Sequence, residues 1–256
     1  MKRVRVIPVL LVKDGGLVKT VKFKNPRYVG DPLNAIKIFN DKEVDEIVIL
    51  DMSATPAQRA PDLRFIAELA SECFMPFAYG GGITTMAQIK KIFNLGVEKV
   101  ILNSSAISDR QLISEAAAAF GSQSIVVSID VKKNLFGKYQ VCSHCGTKST
   151  GYDPVDFAVE MEKAGVGELF INSIDRDGTY SGYDLTLIKK ISAAVKIPSI
   201  ACGGASAIDD LAKAIEQGAS AAAAGSMFIF HGIHKAVLIN YPSQKELQDG
   251  LSKSLH

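Results

Sequence analysis

Asp130 ends the apolar run Ile125-Val126-Val127-Ser128-Ile129, so its carboxylate should emerge from a buried strand into a partly dry space. Desolvation there raises proton affinity, and a carboxyl tuned in that way serves as a general acid or base. The alternative is an aspartate that merely caps a strand-to-helix loop. A second kind of chemistry comes from Gly80-Gly81-Gly82 and Cys202-Gly203-Gly204, each placed ahead of a helix candidate. Glycine lets backbone N–H groups approach an anion closely, and a helix start adds partial positive charge. Asn103-Ser104 and Gly225-Ser226, on the next strand of each half, can add hydroxyls and further N–H donors. Gly82, Asn103 and Ser104 thus outline one phosphate cup, and Gly204, Gly225 and Ser226 a second. Tight-turn geometry explains either glycine set alone; two related sets point to a ligand with two phosphates. Asp175-Arg176-Asp177-Gly178-Thr179 brings carboxylates beside the second cup, where Asp177 orders the loop or a ligand hydroxyl, because a carboxylate facing phosphate is repelled.

These residues recur because the chain repeats itself at an offset of about 120 residues. Ile47 to Asp51 matches Leu169 to Asp175, Phe77 to Gly82 matches Ser199 to Gly204, and Lys99 to Ser104 matches Ala221 to Ser226. Pro76 and Pro198 open the second of these pairs. The same register sets Leu11 against Asp130. Short apolar runs over 4–12, 46–51, 75–79, 99–103, 124–131, 168–174, 199–202 and 221–225 alternate with amphipathic stretches. Helices are expected between them, among them one from Asp31-Pro32 and others over 84–94, 108–120, 153–164, 184–194 and 206–217. Gly96, Gly121, Gly165 and Gly218 follow last turns, where a left-handed cap belongs. Eight strands, eight helices and a twofold repeat predict a single α/β domain over 1–256, a (β/α)8 TIM barrel built of two half-barrels. An open doubly wound sheet is the alternative, but it has no need for halves that match strand for strand.

The bulk composition narrows the partners. With 256 residues and 47% hydrophobic content the chain can bury a full core. Its 29 basic and 27 acidic residues are mixed, which leaves no basic field for nucleic acid. No run approaches the roughly 20 apolar residues of a membrane span, and the first residues lack a signal-peptide pattern. Four scattered cysteines fit a reducing cytoplasm better than a disulfide framework. Cys142-Ser143-His144-Cys145 resembles half a zinc site, but no second Cys/His pair stands at a matching spacing, and a loop beside a hairpin turn at Phe136-Gly137-Lys138 is the simpler reading. No metal and no cofactor is expected.

Ile7-Pro8, Lys13-Asp14-Gly15, Asp31-Pro32, Gly80-Gly81-Gly82-Ile83, Phe120-Gly121-Ser122-Gln123, Asp175-Arg176-Asp177-Gly178-Thr179, Ser181-Gly182-Tyr183-Asp184 and Gly203-Gly204-Ala205 together resemble HisF, the cyclase subunit family of imidazole glycerol phosphate synthase. The likeness runs from residue 3 to about 230. It implies one phosphate at Gly82, Asn103 and Ser104, and the other at Asp177, Gly178, Gly204, Gly225 and Ser226. It also implies a mobile first-loop lysine at Lys19. The family takes ammonia through the barrel axis from a HisH-like glutaminase docked at the opposite end, which makes a heterodimer the expected assembly. Arg5, Glu46, Lys99 and Glu168 match its ring of gate charges. They lie at strand beginnings, where barrel chemistry has no other use for them; surface salt bridges are the alternative.

One position departs from the family. HisF pairs an aspartate on the first strand with one on the fifth, and here Leu11 stands where the first should be. Asn172 also replaces a usual threonine. With the stretch from Leu10 to Thr20 and the tail from Phe230 to Pro242, this resembles the HisF paralogues of surface-polysaccharide loci. Those act with a HisH-like glutaminase and a sugar amidotransferase to install acetamidino groups. Three readings stay open: an ammonia-handling subunit for sugar amidination, a histidine-pathway cyclase that tolerates Leu11, and a silent scaffold that activates the glutaminase.

Overall fold

The barrel strands are buried on both faces, since one set of alternate side chains packs inward and the other meets the helices. The computed structural model describes residues 4–232 and 234–252; expectations that touch residues 1–3, Ile233 and 253–256 lie outside them. The barrel strands are β1 (Arg5–Lys13), β2 (Ile47–Asp51), β3 (Phe77–Gly80), β4 (Lys99–Leu102), β5 (Ile125–Lys133), β6 (Glu168–Ser173), β7 (Ser199–Cys202) and β8 (Ala221–Ala224). Each pairs in parallel with its chain neighbours, and β8 returns to β1, so the sheet closes. The barrel is a (β/α)8 fold, as the repeat predicts, and in the closed order β1 stands opposite β5 and β2 opposite β6.

Inside, Ile7, Val48, Ala78, Ile101, Val126, Phe170, Ile200 and Ala221 belong to one packed apolar cluster. The outer faces of the strands and the inner faces of the helices form a second, larger one. Helices start two residues later than expected at Met86, Arg110 and Ile208, because the residues ahead of them act as caps. Thr85 accepts from the amide of Gln88, and Asp109 from that of Leu112. Gly96, Gly121, Gly165 and Gly218 all have φ near +90°, as the cap reading requires.

Two antiparallel excursions rise from the C-terminal strand ends. Gly16–Val21 folds back on β1, with Leu11 opposite Val18, and then pairs with Lys24–Gly30. Tyr139–Ser143 folds back on β5 after a turn at Gly137 (φ +76°) and sets Cys142 opposite Asp130. The second turn was expected from sequence; the first excursion was not. Its tip, Lys22-Phe23, takes left-handed φ values of 54° and 60° without glycine or asparagine, so the usual turn signal is missing. No helix among the described residues is long and apolar enough to cross a membrane.

Candidate active site in the barrel mouth

The C-terminal strand ends surround a cleft of about 540 Å³ that holds Asp130, Asn103, Ser104 and Gly80 to Gly82. A recess of about 30 Å³ beside it holds Asp177, Gly178, Gly204, Gly225 and Ser226. Leu11, Thr20, Phe23, Leu50 and Asn172 line both and so form the wall between them. The two expected phosphate cups therefore occupy two compartments of one mouth. Asp130 lies in the larger.

Burial drives the Asp130 carboxyl up to about 6, while the neighbouring Ser128 and Asn172 side chains pull the other way. The Ser128 hydroxyl donates to its Oδ1 at 2.9 Å. Ser128 was not singled out from sequence, although its place two residues before Asp130 on one strand puts both side chains on the same face. Asp51 is a second carboxylate in the cleft, but its Oδ1 is already used by the Ser53 amide and hydroxyl at 2.8 and 2.6 Å and by the Ala54 amide at 3.2 Å. It orders the loop after β2. Leu11 and Leu50 are register partners on β1 and β2, and Asp130 and Asn172 are register partners on β5 and β6. The mouth thus has an apolar side facing a polar side.

The cup helices differ from their expected form. Gly82 does not sit on the start of the Met86–Asn94 helix, because the Gln88 carboxamide takes the amides of Thr84 and Thr85 at 2.7 and 3.1 Å. Asp210 does the same for Ser206 and Ala207 at 2.8 and 3.3 Å. Those helix starts close on themselves in both half-barrels. The short helices Ser104–Ser108 and Ser226–Ile229, on the next strands, have no side-chain cap, and Ser104 and Ser226 line the two compartments. The glycines are required by packing as well as by any anion. A side chain on Gly82 (φ +70°) would meet the Arg59 carbonyl at 2.5 Å, and one on Gly204 (φ +109°) would run into the Gly182 carbonyl. The Asn103 carboxamide donates to the Ser128 and Cys142 carbonyls at 3.0 and 3.3 Å, and its Oδ1 accepts from the Ser104 hydroxyl at 3.3 Å, which in turn accepts from the His144 amide at 3.1 Å.

Lys19 is not on a free loop. It lies in the Gly16–Val21 strand, only 5% exposed, and its Nζ donates to the Val9 carbonyl at 2.6 Å, beside Gly225 in the smaller compartment. Burial lowers its amine to about 8, against the opposing pull of Asp177. Asp177 fastens the same excursion: its carboxylate accepts from the Thr20 hydroxyl at 2.9 Å and from the Phe23 amide at 3.5 Å, and its carbonyl takes the Lys22 amide at 2.9 Å. Burial raises the Asp177 carboxyl, with Thr20 and Lys19 holding it back. Asp175 turns away from the cup and accepts from the Lys133 amide at 2.8 Å, which corrects the expectation that both carboxylates flank it. Thr20, Phe23 and the wall they form carried no signal in the sequence, because their turn lacks glycine.

A family model described as histidine biosynthesis protein matches residues 5–234. The hisF2 subunit of Pseudomonas aeruginosa, assigned only provisionally to imidazole glycerol phosphate synthase, is 54% identical over 98% of this chain and 100% of its own. The hisF3 subunit of Vibrio vulnificus, assigned in the same way, is 50% identical over 98% of this chain and 97% of its own. The imidazole glycerol phosphate synthase subunit HisF of Alkaliphilus metalliredigens is 41% identical over 90% of this chain and 91% of its own. The chain belongs to the HisF family.

At the far end of this HisF barrel, Arg5, Glu46, Lys99 and Glu168 close into a ring. Arg5 hydrogen-bonds to both glutamates, and the Lys99 ammonium lies 2.8 Å from Glu46 and 3.0 Å from Glu168. Both glutamates are buried, so the four residues balance one another rather than forming loose surface pairs. Among the described residues no three His, Cys, Asp or Glu side chains gather where a metal could sit. The Cys145 thiol instead donates to the Met52 carbonyl at 3.2 Å, and Cys142 is buried behind Asp130.

Proposed function

We propose that this chain is an ammonia-accepting synthase subunit that works beside a HisH-like glutamine amidotransferase in making an acetamidino sugar for a surface polysaccharide. The observation that carries this reading is Leu11. It lines the cleft with Asp130 from the opposite strand, where the family resemblance calls for the second of two aspartates. A leucine neither takes nor gives a proton, and losing one positioned acid or base costs about 10²–10⁴-fold in rate. Asp51 lines the same cleft from β2, with its Oδ1 held by the loop it caps. Relatives assigned to imidazole glycerol phosphate synthase only provisionally, at 49% to 54% identity, also stand nearer to this chain than the HisF subunits assigned without that qualification, at 41% and 43%.

The rest of the molecule supports ammonia handling. Two compartments lined by glycine loops and by the uncapped starts of two short helices suit a ligand with two phosphates, contacted at Gly82, Asn103 and Ser104 and at Asp177, Gly178, Gly204, Gly225 and Ser226. The charge ring at the opposite end suits a gate through which ammonia from the glutaminase enters the axis. Built phosphate cups also speak against a silent scaffold, which has no use for them.

A histidine-pathway cyclase is the second reading, favoured by Asp130, which keeps a buried carboxyl at about 6. Expression in a histidine auxotroph that lacks its own cyclase subunit separates the two. We expect no rescue, or rescue only at strongly reduced growth; growth at the normal rate would reject the sugar reading.

A further inference from the structure

Two large apolar side chains stand next to each other in water. Leu135 is fully exposed and Phe136 is 87% exposed, at the apex of the hairpin that joins β5 to Tyr139–Ser143. A single exposed leucine is ordinary, but turns favour glycine, asparagine and serine, and packing asks for neither residue here. The apex is nevertheless firmly built. Oδ1 of Asn134 accepts from the Phe136 and Lys138 amides at 2.9 and 3.0 Å, and the Asn134 amide donates to the Lys138 carbonyl at 2.9 Å. Leu135 follows Asp130 by five residues, so this fixed turn presents its apolar pair roughly 15 Å further along the strand. Phe74, at 84% exposure, lies instead just ahead of β3 at the ring end, where the reading above puts the glutaminase.

Positive charge surrounds the apex. Lys132 and Lys133 precede it and Lys138 follows it, all exposed. Neighbours along a strand point to opposite faces, so Lys132 and Lys133 flank both faces of the ribbon. The Lys133 ammonium lies 4.9 Å from the centre of the Tyr139 ring, and Lys190 reaches the same ring at 5.8 Å from its helix. Two aspartates touch this group, and both are engaged. Asp175 takes the Lys133 amide, while Asp184 takes the Tyr139 hydroxyl and the Leu187 amide and lies 3.9 Å from the Lys133 ammonium. Four lysines against two aspartates leave a positive surplus behind the apolar pair.

We propose that this hairpin docks the chain on an anionic lipid bilayer, with Leu135 and Phe136 entering the headgroup region and Lys132, Lys133, Lys138 and Lys190 meeting lipid phosphates. An apolar tip above a basic collar is complementary to an acidic surface that covers an apolar layer. Nucleic acid would match the lysines but leave Leu135 and Phe136 in water. An acidic protein would need a shaped pocket for a protruding pair, whereas a fluid bilayer takes it without one. The hairpin rises from the C-terminal strand ends, so docking leaves the ring of Arg5, Glu46, Lys99 and Glu168 at the other end open to a glutaminase. The docking is independent of the ammonia reading, and either can fail alone.

The test uses the full chain and vesicles of phosphatidylcholine, alone or mixed in equal parts with phosphatidylglycerol. Sedimentation with the mixed vesicles is expected, with little on the neutral ones, and raised salt should weaken it severalfold. Leu135→Ser combined with Phe136→Ser, and separately Lys132→Gln combined with Lys138→Gln, should each weaken binding about tenfold or more at an unchanged thermal midpoint. The sequence has no tryptophan, so Phe136→Trp places a single fluorophore at the apex. Its emission should move to the blue on mixed vesicles and be quenched by brominated lipid. Equal binding to both kinds of vesicle, undiminished binding in the variants, or tryptophan emission that stays that of water would overturn the proposal. Failure to bind either vesicle would overturn it too and leave the apex to an acidic protein.

Discussion

Leu11 and Asp130 face one cleft from strands that stand opposite each other in the closed barrel. They occupy equivalent places in the two half-barrels, so the same backbone position carries a proton-bearing group on one side and an apolar one on the other. Ligand chemistry in this mouth is consequently one-sided, with Asp130, Ser128 and Asn172 grouped away from Leu11 and Leu50.

Asp130 should trade stability for function. Its folded value, about 6, lies above the 3.8 of a free carboxyl, so its contribution to stability is fully present below pH 4 and is lost as pH rises through 6. Asp130→Asn should match the parent at pH 4 and exceed it at pH 8 by up to about 3 kcal/mol in urea unfolding. Turnover should fall about 10²–10⁴-fold. An unchanged stability difference across that range would show that Asp130 is not desolvated.

Lys19 poses the mirror case. Its amine is lowered from 10.5 to about 8, so the cost of burying its charge is present below pH 8 and is relieved as pH rises towards 10.5. Lys19→Met should therefore be more stable by up to about 3 kcal/mol at pH 7, with the gap closing by pH 10. The same variant should lose activity if the ammonium serves a ligand in the smaller compartment. Chemical denaturation at the two pH values checks the first claim.

The charge ring should be costly to break. Lys99→Met leaves Glu46 and Glu168 buried with Arg5 as their remaining ring partner, and a loss of about 3 kcal/mol is expected at pH 7. Adding Glu46→Gln should return part of that loss. If Lys99→Met unfolds at the parent's urea midpoint, the ring is an ordinary set of surface pairs.

Phosphate contacts are better probed at the serines than at the glycines, whose replacement strains the loops. Ser104→Ala and Ser226→Ala should each weaken a bisphosphate ligand about tenfold in calorimetry, with the thermal midpoint unchanged in Ser226→Ala and lowered slightly in Ser104→Ala, which also loses the acceptor of the His144 amide. Equal affinity in both variants would remove the two-cup arrangement.

Much of this was legible in the sequence because barrel strands are short apolar runs that end in polar residues, and because duplication shows each half twice. Asp130 and both glycine loops follow from position along a strand, and the ring charges from the family resemblance. What stayed hidden depends on contacts far apart in the chain. The Gly16–Val21 excursion turns on Lys22 and Phe23, which give no turn signal, so nothing in the sequence shows that Lys19 is buried against Val9. The glycines before the Met86–Asn94 helix suggest an anion site, but Gln88 satisfies the amides ahead of that helix, and a glutamine three residues past Thr85 is the sequence signal for this capping box.

The most direct test is the rate at which the purified chain, given ammonium salt, cyclises the bisphosphate intermediate of histidine biosynthesis, compared with its Leu11→Asp variant. The account predicts a very slow parent and a variant at least tenfold faster, with ligand affinity similar in both. A parent that already turns over rapidly, or a variant that binds the intermediate and shows no gain, would contradict it.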